Sequence, residues 1–230
     1  MASLTLSDWV GLGVFFLCWI AYALVTTRVP AIRARSVIAA MDEHRRRWMI
    51  AMLERENRIA DIATIGNLMQ STSFLATTSI FVLGGLVAML GAPDLGRRVL
   101  SALPYAAVPG EAAWEAKVAL LLIIFVNAFF ALTWALRQFN YASILVSGIP
   151  PGPPDPARIA QAEAAARVLN RAARHFSTGL RSYYFGLAAL AWLLHPLALV
   201  VASLLVLREL HRREFRSEVR EALIAGNSRR

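Results

Sequence analysis

Val118–Leu136 reads VALLLIIFVNAFFALTWAL, a run with no charged residue and only Asn127 and Thr133 as polar side chains. A helix needs about 20 mostly apolar residues to cross the ~30 Å hydrocarbon core of a bilayer. Working outward, three more runs have comparable length and composition: Trp9–Thr27, Phe74–Leu90 and Tyr183–Leu207. A chain in lipid must satisfy its own backbone polar groups, so runs of this kind are helices. The expected fold is an all-α integral membrane protein, one membrane domain over residues 1–230. It has about four transmembrane helices, with long amphipathic helices in the first loop, the third loop and the C-terminal tail.

The rest of the chain is rich in charge. There are 24 basic and 15 acidic residues, a formal charge of +9, and a mean hydropathy of +0.52. Lys117 is the one lysine, so 24 − 1 = 23 of the basic residues are arginine. Genomic base composition produces such a bias, and so does recognition of phosphate or carboxylate, which guanidinium grips bidentately. For a basic chain with spans, the expected partner is the anionic lipid surface. The basic residues flank the apolar runs, so no nucleic acid is expected. Cys18 is the single cysteine and lies inside the first run, which excludes an intrachain disulfide. The N-terminus lacks a basic segment and a small-residue cleavage motif, so the first run is expected to stay as a span.

Arginine counts suggest the topology. The segment before Trp9 has none, the first loop has eight, the second has Arg97 and Arg98, and the third has five. Positively charged loops stay on the cytoplasmic side. The N-terminus is then outside. The tail breaks the alternation, since Arg208, Arg212, Arg213, Arg216, Arg220, Arg229 and Arg230 follow the fourth run. Either His195-Pro196 splits that run into a broken pair that returns the tail, or the tail crosses and the rule is overridden. Four uninterrupted spans is the arrangement adopted here.

Between the runs, helical periodicity predicts amphipathic helices at about 31–70, 156–176 and 208–224. In the first, Ile38, Met41, Trp48, Met52, Ile59 and Ile62 share a face. The pairs Asp42→Arg46, Glu43→Arg47 and Glu54→Arg58 support a solvated opposite face. Arg55 falls within the apolar face, where its stem either snorkels out or directs charge at an anionic group. Asp155-Pro156, after the proline-rich turn 150–156, marks a helix start.

Several local patterns carry a resemblance. They are Arg47-Trp48-Met49 with Met52, Arg55, Arg58 and Asp61, then Ser73–Ile80 and Gly84-Gly85, then Phe139-Asn140-Tyr141, Gly179–Phe185 and Arg213-Glu214-Phe215. Together they resemble the bacterial membrane family catalogued as domain-of-unknown-function family 599, over nearly the whole chain. The resemblance implies an all-helical inner-membrane protein and transfers no activity.

Candidate chemistry must come from the residues. His44, His175, His195 and His211 are scattered without metal-ligand spacing, and no metal or other cofactor is expected. No nucleophile elbow, Walker loop or dinucleotide fingerprint occurs, so an enzyme is unsupported. His195 lies within a span, where an ionisable group is a functional candidate, yet a histidine before proline also serves by bonding a freed carbonyl. The second span carries a hydroxyl patch including Thr77 and Thr78, which either packs helices or lines a polar pathway. Gly84 with Ala88, and Ala131 with Ala135, are candidate close-packing faces. Asn127 lies in the third span, which ends Arg137-Gln138-Phe139-Asn140-Tyr141, and the fourth begins Arg181-Ser182-Tyr183-Tyr184. If those ends share a membrane face, Arg137, Gln138, Asn140, Arg181, Tyr183 and Tyr184 converge there. They would form either an interfacial anchor belt or an anion or lipid-headgroup site. The leading expectation is a homo-oligomeric channel or transporter, possibly for a small anion. The rival is a non-transporting scaffold or anionic-lipid-binding accessory protein.

Overall fold

The computed structural model describes residues 4–102 and 109–228. Arg229 and Arg230, counted above with the tail, lie outside them. The described residues are helical almost throughout, and none forms a strand.

The first apolar run is helix α1 (Leu6–Phe16), a π-helical turn (Leu17–Ala21) and α2 (Tyr22–Arg28). Thr5 caps it in a capping box with Asp8. Val29 is extended ahead of Pro30, which ends the helix, because proline's ring disfavours the α region for the residue before it. A short α3 (Pro30–Arg33) leads to α4 (Val37–Ala51), whose cap is Ser36. Then come α5 (Ile59–Gly91), α6 (Pro93–Ser101), α7 (Glu111–Gly148), α8 (Pro156–Leu194), α9 (Pro196–Phe215) and α10 (Glu218–Ser228). Among the described residues, three helices are long and apolar enough to cross a membrane: Leu6–Arg28, α5 and α7.

The first loop departs from the single helix expected over 31–70. Met52–Glu54 is a 3₁₀ turn, Arg55 is extended, and the side-chain carbonyl of Asn57 accepts the Ile59 N–H to open α5. The apolar stripe stops at this break. Met49, Met52 and Leu53 are fully buried, whereas Ile59 is exposed. The amphipathic stretch after Arg58 instead continues into the second apolar run as one helix of 33 residues.

The fourth run is likewise not one helix. Residues from Tyr183 onward complete α8, which has 39 residues, and the chain breaks at His195. Proline has no N–H, and it holds His195 extended (φ −161°, ψ 143°). The imidazole caps the next helix, with Nδ1 accepting the Leu197 N–H at 3.1 Å. Past the break α9 doubles back, so that Arg213 donates to the Tyr184 hydroxyl at 3.2 Å.

Contacts along the helices define the bundle. α7 and α8 run antiparallel: Lys117 meets Trp192, Asn127 meets Ser182, and Trp134 meets His175. Gly179 and Gly186 let them approach, because a Cβ there would sit 2.6 Å from Leu132 and 2.9 Å from Phe125. Gly84, expected at a close-packing face, has open space around it. α1 packs along α9, while its Asp8 reaches Trp192 of α8 and Thr26 of α2 reaches Arg181.

At 1.5 Å per residue α7 is about 57 Å long, far more than a bilayer core. The buried residues accordingly form two clusters. One contains Phe15, Trp114, Phe125, Phe185 and Trp192. The other joins Met49, Met52 and Leu53 to the C-terminal half of α7 and the N-terminal half of α8, through Ala135, Ala142, Ala162, Ala165 and Ala172.

Candidate functional site

Between the two clusters the helix ends open onto a cleft. Thr26 and Thr27, at the end of α2, bond back to the Tyr22 and Ala23 carbonyls, so their side chains stay at the helix surface. α3 supplies Arg33, the start of α4 supplies Ser36 and Ile38, α8 supplies Arg174, Thr178 and Arg181, and the last turn of α9 supplies Arg213 and Glu214. These residues line two adjoining hollows of about 190 and 200 Å³ that share Thr26, Ile38, Arg181 and Glu214.

The charges are unevenly answered. Arg174 pairs with Asp42 at 2.7 Å, and Arg213 with Glu209 at 2.6 Å. Arg181 has no carboxylate at ion-pair distance among the described residues. Its partners are hydroxyls, Thr26 Oγ1 at 3.0 Å and Thr178 Oγ1 at 3.3 Å. Arg33 also lines the cleft without an ion pair among the described residues. The one acid in the cleft, Glu214, accepts the Ile38 N–H at 3.3 Å. An acid in the last turn of its own helix is disfavoured by the macrodipole, but the N-terminus of α4 compensates. Guanidinium groups with hydroxyl neighbours around a hollow suit a phosphate or carboxylate.

Arg174 also ties the cleft to α4. Asn170 and Arg174 both bond to Asp42, and Arg45 donates to Asp42 and Asn170 at 3.3 Å each. Burial pulls the Arg45 guanidinium below its ordinary pKa, partly opposed by Asp42 and assisted by Arg174. Both Arg46 and Arg47 bond to Glu43, whose carboxyl is held below the usual range chiefly by its bond to Arg46.

The structure distributes the expected site residues over separate places. Arg181 and Tyr184 line the cleft. Tyr183 instead bonds to the Leu75 carbonyl and Ser79 of α5 and packs on Phe125. Arg137 is exposed and engages Trp134 and Tyr141 on its own helix. Gln138 is buried with Oε1 unpartnered, and Asn140 is exposed. Asn127 donates to Ser182 at 2.9 Å. Thr77 faces outward, while Thr78, like Thr72 and Ser79, bonds to the carbonyl one turn back. Arg55 pairs with Asp61, which also accepts the Trp48 indole N–H at 2.6 Å. Arg137 and Arg181 therefore take different neighbours.

Two groups were missed in the sequence reading. Glu214 was quoted only as part of a family pattern, and its partner Ile38 is 176 positions away. Lys117 and Asp8, both buried, form the other group. Pro196 has no N–H to offer the Trp192 carbonyl, and the Lys117 ammonium takes that carbonyl at 2.8 Å. Trp192 in turn donates its indole N–H to Asp8 at 2.8 Å. The freed carbonyl thus goes to Lys117, not to His195. The signal available was a lone lysine among arginines at the edge of an apolar run.

Fold and site together define an all-helical protein with three membrane-length apolar helices and an arginine-lined cleft where its helices end. Residues 10–219 match the family model described as "Protein of unknown function, DUF599", and the chain belongs to that family. No curated protein and no solved structure matches it.

Proposed function

We propose that this is a bacterial inner-membrane protein that binds an anionic headgroup in the cleft between α2, α4, α8 and α9. The observation that carries the reading is Arg181, a guanidinium in the cleft that forms no ion pair among the described residues and donates to two hydroxyls. A partly dehydrated guanidinium that faces Glu214 without forming an ion pair with it is incompletely compensated, and a bound anion relieves that cost. Position supports a lipid source. The cleft lies at the end of the Leu6–Arg28 helix, where a span would reach the headgroup layer.

On this reading Leu6–Arg28, α5 and α7 cross the membrane, and the apolar halves of α8 and α9 form a re-entrant hairpin. The arginines of the first loop, third loop and tail then share the cytoplasmic side, which removes the conflict in the positive-inside count. The accessory-protein reading is preferred over transport because Thr72, Thr78 and Ser79 of α5 bond to carbonyls of their own helix, and Ser79 also to Tyr183.

The test is the anionic lipid that copurifies with the protein from its membrane. Arg33→Gln with Arg181→Gln should strip that lipid while leaving the zwitterionic lipid in place. Unchanged anionic lipid in the double variant sinks the reading. Selective solute flux through the reconstituted protein, lost on Arg181→Gln, would restore the transport reading.

A further inference from the structure

We propose that the cleft selects a phosphomonoester, and that Glu214 is the internal carboxylate which this ligand displaces. The inference rests on the anion-binding reading of the same cleft and adds the class of ligand and the way it is chosen.

Four arginines line the two hollows, but two are already committed, Arg174 to Asp42 and Arg213 to Glu209. Arg33 and Arg181 remain, two positive charges facing the single negative charge of Glu214. Glu214 does not pair with either. Its carboxylate is turned to the start of α4, where it accepts the Ile38 N–H. Backbone N–H groups at a helix start, beside guanidinium groups and hydroxyls, are what a phosphate oxygen seeks. Ser36 and Thr27 add hydroxyls on the same wall. The glutamate therefore sits where a phosphate would sit, in a cleft otherwise equipped for one.

Charge decides which phosphate displaces it. A phosphodiester carries about one negative charge, so exchanging it for a carboxylate gains no electrostatic energy from Arg33 and Arg181. A phosphomonoester carries about −1.5 to −2 at pH 7 and three strongly accepting oxygens, so the exchange is favourable. Displacing Glu214 thus raises the threshold for every anion alike, while Arg33 and Arg181 favour the more highly charged one. Displacement also releases a contact at the foot of the C-terminal segment. That segment is also held by Arg220 to the Arg35 carbonyl at 2.6 Å and His44 to the Leu223 carbonyl at 3.0 Å, among other contacts.

The full-length protein, purified in detergent, is incubated with an equimolar mixture of a phosphatidic acid, a phosphatidylglycerol and a phosphatidylcholine. The retained lipids are then counted by mass spectrometry. The wild type should retain the monoester over the diester by about tenfold. Glu214→Gln, whose amide oxygen still accepts the Ile38 N–H, should raise retention of both anionic lipids and leave the monoester preferred. Arg181→Gln should lower retention of both. Inorganic phosphate added as competitor separates the sources. Displacement of phosphatidic acid by it assigns the site to the free ion, and failure to displace assigns it to the lipid form, with the monoester preference intact in both. Equal retention of the two anionic lipids by wild type, or retention of both unchanged in Glu214→Gln, overturns the inference while loss on Arg181→Gln leaves the cleft reading standing. Retention unaffected by Arg181→Gln overturns the cleft reading itself.

Discussion

The two buried clusters of this protein are built differently. Around Phe15, Phe185, Trp114 and Trp192 the core is filled by large side chains, and its charged members, Asp8 and Lys117, meet through the Trp192 side chain and carbonyl. Around Ala135, Ala142, Ala162, Ala165 and Ala172 the core is filled by helices approaching through alanine, with arginine–carboxylate pairs such as Arg174–Asp42 and Arg46–Glu163 on the outside. The first region suits lipid, where bulk and satisfied polar groups matter. The second suits water, where a thin apolar seam is enough and charge keeps the outer face solvated. The cleft opens where one style gives way to the other, because there arginines begin before apolar walls have ended.

If that contrast is right, the first region should suffer most from lost volume. Trp192→Ala removes a fully buried ring and the donor to Asp8, and should cost about 3–5 kcal/mol of stability. Thermal unfolding in detergent, followed by tryptophan fluorescence, measures it; a loss below that of any alanine substitution in the second region would break the contrast. Next comes Lys117→Met, which orphans the Trp192 carbonyl for about 1–3 kcal/mol. Adding Pro196→Ala supplies an N–H for that carbonyl, so the double variant should recover much of the loss. A double-mutant cycle without such coupling would refute the role given to Lys117.

The second region should suffer from added volume instead. Ala165→Leu forces α7 and α8 apart and should cost about 1–3 kcal/mol, read as a lower denaturant midpoint. Its surface pairs count for little. Arg46→Ala removes contacts to Glu43 and Glu163 across half-exposed side chains and should change stability by less than about 1 kcal/mol. The smallest effect is in pH. Hydrogen bonds from Arg212 and Arg213 hold the Glu209 carboxyl down to about 2 from its ordinary 4.5. A depressed carboxyl keeps its ion pairs above the unfolded value and loses them as pH falls through the folded one. Carboxyl chemical shifts should therefore place its titration midpoint near 2, and a midpoint near 4.5 would separate Glu209 from both arginines.

What the sequence made legible was local. The apolar runs, the helix start at Asp155-Pro156 and the capacity of Pro196 to break a helix all depend on neighbours within one or two turns. Asp155 does accept the Arg158 N–H, at 2.8 Å. The break at 55–58 was missed because the apolar stripe runs through it on paper, while the bond from the Ile59 N–H to the Asn57 side chain is a single hydrogen bond that periodicity does not register. The candidate site was legible only in part, through Arg181 and Tyr184. Its other members come together over long separations, as Ile38 and Glu214 do, or Arg174 with Asp42 at 132 positions. Arg137 looked equivalent to Arg181 because both end apolar runs, and the neighbours that tell them apart belong to different helices.

Pro196 also determines what the insertion machinery has to move. On the proposed topology the hairpin brings the chain back before Arg208, so none of the seven arginines of the tail travels through the bilayer. An arginine at the centre of a spanning helix carries an apparent insertion penalty of about 2.5–3.5 kcal/mol. One imino acid therefore does for biosynthesis what an extra apolar helix would otherwise have to do: it keeps the tail in the compartment where the ribosome left it.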